Sequence, residues 1–128
     1  MKRVLEAKNA PAVIGPYSHG VAYEGKLVFT SGMIGLDPAT GKLVTGGIEA
    51  EAEQALRNVG SVLEAGLSTF DKVLKTTIFL TDIKDFAAVN SVYARFFDHA
   101  KFPARTTVQV AALPLGARVE IECIASGL

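Results

Sequence analysis

Cysteine is nearly absent. Cys123 is the only one in 128 residues, which excludes an internal disulfide framework and any site built from several thiolates, zinc or iron–sulfur alike. Imidazole is almost as scarce: His19 and His99 are the only histidines, neither has a partner at metal-ligand spacing, and no metal is expected. Charge of one sign is missing as well. Lys and Arg number 13 and Asp and Glu 13, a formal net charge of zero, whereas a surface that neutralises phosphates needs cationic side chains in surplus on one face. That balance argues against nucleic acid as a partner. No window approaches the roughly 18 apolar residues of a membrane span, and Met1-Lys2-Arg3-Val4-Leu5-Glu6 has no apolar core of signal-peptide length. A reducing, cytoplasmic location without a membrane partner is expected. Neither GxxxxGK[ST] nor GxGxxG occurs, Thr40-Gly41-Lys42 lacks the rest of a phosphate loop, and there is no GxSxG elbow.

What is present is an ordinary globular composition, 49% hydrophobic with 12 glycines, and the length of one domain, residues 1–128. Lys2 to Glu6 reads as a short strand. Asn9 to Gly20, with Pro11, Gly15, Pro16 and Gly20, reads as a structured loop. Val21-Ala22-Tyr23 and Leu27-Val28-Phe29-Thr30 flank Glu24-Gly25-Lys26, the tight connection of a hairpin. Ile48, Ala52, Ala55, Leu56, Val59 and Leu63 recur at helical spacing, with Glu49, Glu51, Glu53, Arg57 and Glu64 elsewhere on the wheel and Gly66 placed to end the helix. Asp71 to Thr81, which includes the β-branched and aromatic run Val73 to Leu80, reads as a strand. A second helix is predicted from Asp85 to Asp98 on the stripe Phe86, Val89, Tyr93, Phe96 and Phe97, and two final strands over Arg105 to Val110 and Arg118 to Ala125. This order implies a mixed sheet of six strands with two helices on one face. The second face of the sheet has no helix to cover it, so it meets either water or other subunits.

Side chains on a strand alternate between faces. Arg105, Thr107 and Gln109 therefore oppose Thr106, Val108 and Val110, and Arg118, Glu120 and Glu122 oppose Val119, Ile121 and Cys123. One reading is a solvated polar face. The other is an arginine and a carboxylate on neighbouring strands, facing one cleft. Asn90 stands on the apolar stripe of its own helix, where an unpaired amide costs about 1 to 3 kcal/mol; it bonds either a backbone carbonyl or a substrate. Tyr17 follows Gly15-Pro16 in a loop, with its hydroxyl at a rim. Cys123 alternates with valine and isoleucine and reads as core rather than nucleophile. Residue chemistry alone reaches a site that holds a small carboxylate and moves protons.

Several segments together resemble the reactive intermediate deaminases, the YjgF-type enamine/imine deaminases, over nearly the whole chain. They are Ala10-Pro-Ala-Val-Ile-Gly-Pro-Tyr17-Ser, Val28-Phe-Thr-Ser31-Gly32 with Leu36-Asp-Pro-Ala-Thr-Gly41, and Asp85-Phe86-Ala-Ala-Val-Asn90 with Val92-Tyr93 and Phe96-Phe97. Phe102-Pro103-Ala104-Arg105-Thr-Thr107-Val-Gln-Val110 and Val119-Glu120-Ile-Glu122 complete the set. The resemblance implies an α+β, chorismate-mutase-like fold and a homotrimer whose sheets form a central barrel, with active sites between subunits. It implies hydrolysis of 2-imino or 2-enamino acids to 2-keto acids and ammonia, a 2-iminobutanoate/2-iminopropanoate deaminase type of activity in amino-acid metabolism and metabolite damage control, with no cofactor. By position, Arg105 would bind the substrate carboxylate and Glu120 would orient water and shuttle its proton. Gly32 would present a backbone N–H, Thr107 would add backbone or hydroxyl contacts, and Tyr17, Ser31 and Asn90 would shape the pocket.

Thr107 stands where many members have cysteine, Met33 and Gly35 where glutamine and proline are common, and His19 at a frequent glutamine. These departures bear on substrate preference more than on reaction type. Two other function classes fit the same fold: a non-catalytic trimer that senses small 2-keto acids, and a ribonuclease or translation inhibitor, the latter disfavoured by the zero net charge.

Overall fold

Period-two alternation builds six strands and two apolar stripes build the helices, in the order read from the sequence. The computed structural model describes residues 1–24 and 26–127, so Gly25, assigned above to the hairpin connection, lies outside the described residues. Strands β1 (Lys2–Leu5), β2 (Gly20–Tyr23), β3 (Leu27–Thr30), β4 (Val73–Leu80), β5 (Ala104–Gln109) and β6 (Val119–Ser126) form one sheet in the order β1-β2-β3-β6-β4-β5. β4 and β5 run parallel and every other neighbouring pair is antiparallel. The sheet is mixed, with helices α1 (Gly47–Ala65) and α2 (Phe86–Tyr93) on one face. The architecture is α+β.

The core lies between that face and the helices. Ala52, Ala55, Leu56, Val59, Val62 and Leu63 of α1 pack with Val89, Val92 and Tyr93 of α2 on Val28, Ile78, Val119, Ile121 and Cys123 of the sheet. Fully burying a side chain of this size stabilises by roughly 1.5 to 3 kcal/mol. Helix α1 ends at Gly66, but not because glycine is needed for a left-handed turn. Leu67 takes the left-handed position at φ 59°, and Gly66 is required for space, since a Cβ there would lie 2.8 Å from Val28 Cγ2 and 3.0 Å from Leu5 Cδ1.

Two expectations are corrected. Helix α2 stops at Tyr93 instead of Asp98, because the N–H groups of Arg95 and Phe96 bond carbonyls three residues back, tightening the chain. The turn swings Phe96 and Phe97 onto Phe70, at centroid distances of 5.5 and 5.3 Å. Glu51, assigned to the polar side of α1, is buried. Its carboxylate accepts the Arg118 backbone N–H at 2.9 Å and lies 3.8 Å from the Arg118 Nε, which offsets its desolvation.

On the other face, cross-strand partners Val4, Val21, Phe29 and Ile124 form an apolar row, and Val108 and Phe79 form a second that ends at Glu120. No helix among the described residues covers it, and Val4, Phe29 and Val108 are exposed.

Candidate active site

The Glu120 carboxylate lies in a cleft of about 280 Å³. Tyr17, Ser31, Gly32 and Glu120 all line it, four of the seven residues picked out from the sequence. Apart from His19 the remainder of its wall is apolar, with Ile14, Met33, Leu36, Pro114 and Leu115 among it. Met33 fixes the approach of the Ser31-Gly32 segment by exchanging two backbone hydrogen bonds with Ile121, at 2.8 and 2.9 Å. Gly32 is thereby pressed against Glu120: a Cβ built on it would sit 2.7 Å from the carboxylate carbon. No other residue type fits there while Glu120 keeps this position. Burial lifts the Glu120 carboxyl above the ordinary carboxylate range, and the neighbouring Glu122 charge lifts it further.

The loop carrying Tyr17 is tied down by His19, which is buried. Its Nδ1 accepts the Ala7 N–H at 3.1 Å, so the ring proton sits on Nε2 and is donated to the Pro11 carbonyl at 2.6 Å. Ser31 closes the same loop, donating its hydroxyl to the Ser18 carbonyl at 2.5 Å and its N–H to the His19 carbonyl at 2.9 Å. The Ser31 proton is thus committed to architecture. Tyr17 itself stays half-exposed at the rim.

Arg105 occupies a separate hollow with Asn90, Tyr93, Ala94, Phe102 and Pro103. Its guanidinium carbon stands 4.9 Å from the Tyr93 ring centroid and 5.4 Å from that of Phe86, a stacked cation held by two rings. No carboxylate or hydrogen-bond acceptor among the described residues engages it. Tyr93 is fixed in turn by Thr76 at 2.8 Å. Its phenol is raised above the ordinary tyrosine range by burial, against the lowering effects of the Thr76 bond and the Arg105 charge. Asn90 is half-buried beside Arg105, with no side-chain hydrogen bond among the described residues.

One sequence expectation fails here. Arg105 and Glu120 are not on neighbouring strands, because β4 lies between β5 and β6. Nor do they face one cleft within the chain. Arg105 pairs with Thr76 and Glu120 with Phe79, positions of opposite parity on β4, so Arg105 points to the helix side and Glu120 to the uncovered side. Thr107 pairs with Ile78 and shares the face of Arg105. Its Oγ1 is buried without a hydrogen-bond partner among the described residues.

Cys123 is core, as read. Burial pushes its thiol up to about 12 despite the Thr30 hydroxyl nearby, so it carries no thiolate at neutral pH. His99 stacks on Phe102 at 5.2 Å and bonds the Ala94 carbonyl at 2.8 Å, which serves the Arg105 hollow only as backing.

Asn58 was not picked out from the sequence, although it stands three residues after Ala55 and four before Val62, on the apolar stripe of α1. Its Nδ2 donates to the carbonyls of Ile34 and Leu36 at 3.0 and 2.9 Å and its Oδ1 accepts from Gln54. It thereby holds the cleft wall on the helix. Asn58→Leu strands the Leu36 carbonyl and leaves that of Ile34 only the Leu36 N–H, and a loss of about 1 to 3 kcal/mol is expected in denaturant melts; an unchanged midpoint would show that the wall stands without it.

Comparison with known proteins shows the family. Residues 7–126 match the family model described as endoribonuclease L-PSP. The goat 2-iminobutanoate/2-iminopropanoate deaminase is 50% identical over 125 residues, spanning 98% of this chain and 90% of its own. The crystal structure of the yeast protein YEO7 superposes with a TM-score of 0.95 at 44% identity, covering 100% of both chains. TdcF from E. coli, crystallised with serine bound, gives 0.90 at 39% identity over 98% of this chain and 99% of its own. With a match of that extent and relatives this similar, the chain belongs to the endoribonuclease L-PSP family, the YjgF or reactive intermediate deaminase family that its motifs resemble.

Proposed function

We propose that this protein is a hydrolase that converts 2-imino and 2-enamino acids to 2-keto acids and ammonia, working as a homotrimer whose clefts form between copies. Two observations carry the reading, an unpartnered, ring-stacked guanidinium in one hollow and a partly desolvated carboxylate beside a glycine backbone in another. The names of the relatives point the same way, and the serine held by TdcF is a small carboxylate of the right kind. The split of Arg105 and Glu120 between opposite faces of one sheet supports a shared site: a copy seated on the exposed apolar rows brings the Arg105 face of one chain to the Glu120 face of another.

In this mechanism Arg105 binds the substrate carboxylate through two parallel N–H donors. An enamine first tautomerises to the imine. The ionised Glu120 takes a proton from water as the water oxygen bonds to the imine carbon, giving a tetrahedral carbinolamine. Glu120 hands that proton to the nitrogen, then takes the hydroxyl proton of the carbinolamine and passes it to the nitrogen in turn, so that the C–N bond breaks as the C=O bond forms, ammonia leaves and Glu120 is ionised again. The imine carbon is already electrophilic, so neither a covalent nucleophile nor a cofactor is required, and orientation with charge placement suffices. Gly32 presents its N–H at the reacting end, Tyr17, Ser31 and Asn90 set the walls, and Thr107 adds a contact beside Arg105.

The test is a coupled assay in which imines are generated in situ from several amino acids and the release of 2-keto acid is followed. Acceleration over the uncatalysed rate is expected. Binding of 2-keto acids without acceleration would identify a sensor instead, and RNA cleavage that disappears with Arg105→Ala would identify a ribonuclease.

A further inference from the structure

Pro114, Leu115, Gly116 and Ala117 form a turn closed by the Ala117 N–H on the Pro114 carbonyl at 3.1 Å. Both central residues have positive φ, 57° at Leu115 and 72° at Gly116. This is the type I′ pattern, whose first central position favours Asn, Asp or Gly. A leucine there is held left-handed against its Cβ. The other left-handed non-glycine residues have local causes, Leu67 closing α1 and Glu24 lying in the hairpin between β2 and β3. Leu115 is likewise a turn residue, but its branched side chain contributes nothing to closing the turn, which rests on the Ala117 and Pro114 backbone. That side chain is 59% exposed and outside the hydrophobic core, yet it lines the Glu120 cleft, with Ile14, Met33 and Pro114 completing the apolar wall. Strain of this kind gathers at ligand sites.

We infer that Leu115 is a specificity-determining residue of the Glu120 cleft, favouring 2-imino acids with a branched apolar side chain over those with a methyl group. The inference rests on the deaminase reading above. With the substrate carboxylate on a guanidinium and the imine carbon at Glu120, the substrate side chain is left the apolar wall, and Leu115 is its exposed lip. Asparagine would suit the turn better, so what the leucine adds is apolar surface at the mouth of the cleft.

The experiment compares kcat/KM for the leucine-derived and the alanine-derived imine, each generated in situ, in the wild type, Leu115→Asn and Leu115→Gly. Both substitutions suit a left-handed residue, so neither variant should melt below the wild type. The leucine-to-alanine preference is expected to fall about tenfold in each, the usual worth of a lost apolar pocket contact. A preference within about twofold of the wild type, in variants that melt no lower, overturns the inference. If the wild type accelerates neither imine, the deaminase reading has failed. Equilibrium binding of 4-methyl-2-oxopentanoate relative to pyruvate, measured on the same variants, then still decides Leu115: an unchanged ratio overturns it and a tenfold fall supports it.

Discussion

Arg105→Ala is expected to lower kcat/KM for imine hydrolysis by about a hundredfold to a thousandfold, the cost of deleting one partner of a buried, hydrogen-bonded charge pair. The magnitude follows from how the guanidinium is held. It lies 4.9 Å from the Tyr93 centroid and 5.4 Å from that of Phe86, so its plane is set before a substrate arrives and little side-chain entropy remains to be lost. Arg105→Lys keeps the charge but loses the planar fork and the stack, and recovers only a small part of the activity. Folding should be spared, since Arg105 makes no salt bridge among the described residues. Initial rates at low imine concentration decide the matter, and turnover at the wild-type level in the alanine variant would remove Arg105 from the site.

Glu120→Gln should reduce kcat by about a hundredfold to ten-thousandfold, the range for loss of a positioned acid–base group, while 2-keto acids continue to bind. The pH behaviour makes the assignment sharper. The base form is the ionised carboxylate, so activity falls as pH drops through a midpoint above the ordinary carboxylate value, because burial first and Glu122 second hold the proton on. Glu122→Gln removes the second cause and should move that acid limb to lower pH. Stability has the opposite sign. A carboxyl raised in the folded state is disfavoured when ionised, so its stabilising share is present at low pH and is lost as pH rises through the folded value. At neutral pH Glu120→Gln is therefore expected to melt higher than the wild type while turning over far more slowly. An acid limb that persists unchanged in the glutamine variant would assign the titration to another group.

Mixing the two inactive variants tests whether the site is shared. A cleft built from Arg105 of one copy and Glu120 of the next is intact in some interfaces of a mixed trimer, about a quarter on random assembly. Refolding Arg105→Ala together with Glu120→Gln should restore activity to that order. No recovery in a mixed trimer would mean that each chain carries its own complete site.

The sequence by itself determined the elements and the residue chemistry. Six strands and two helices were legible because β-branched runs and the Ala52, Leu56, Val59, Leu63 stripe are local patterns, each decided by a single chain segment. The same holds for Cys123, whose neighbours Ile121 and Ala125 share its buried face. Tyr17, Ser31, Gly32 and Glu120 were named from linear motifs and meet in one cleft. What local pattern could not show was strand order and which face is which. Alternation separates Arg105 from Thr106 and Glu120 from Ile121, but it carries no sign linking one strand to another, and only the register through β4 places the two charges on opposite sides. Glu51 and Asn58 were missed for a related reason, since a polar residue on a helix is buried or exposed according to partners about 22 to 67 residues away. The zero net charge likewise said nothing of where its charges stand. The tertiary structure decided that Arg105 and Glu120 cannot meet within one chain, because a strand between them fixes both the distance and the direction of their side chains.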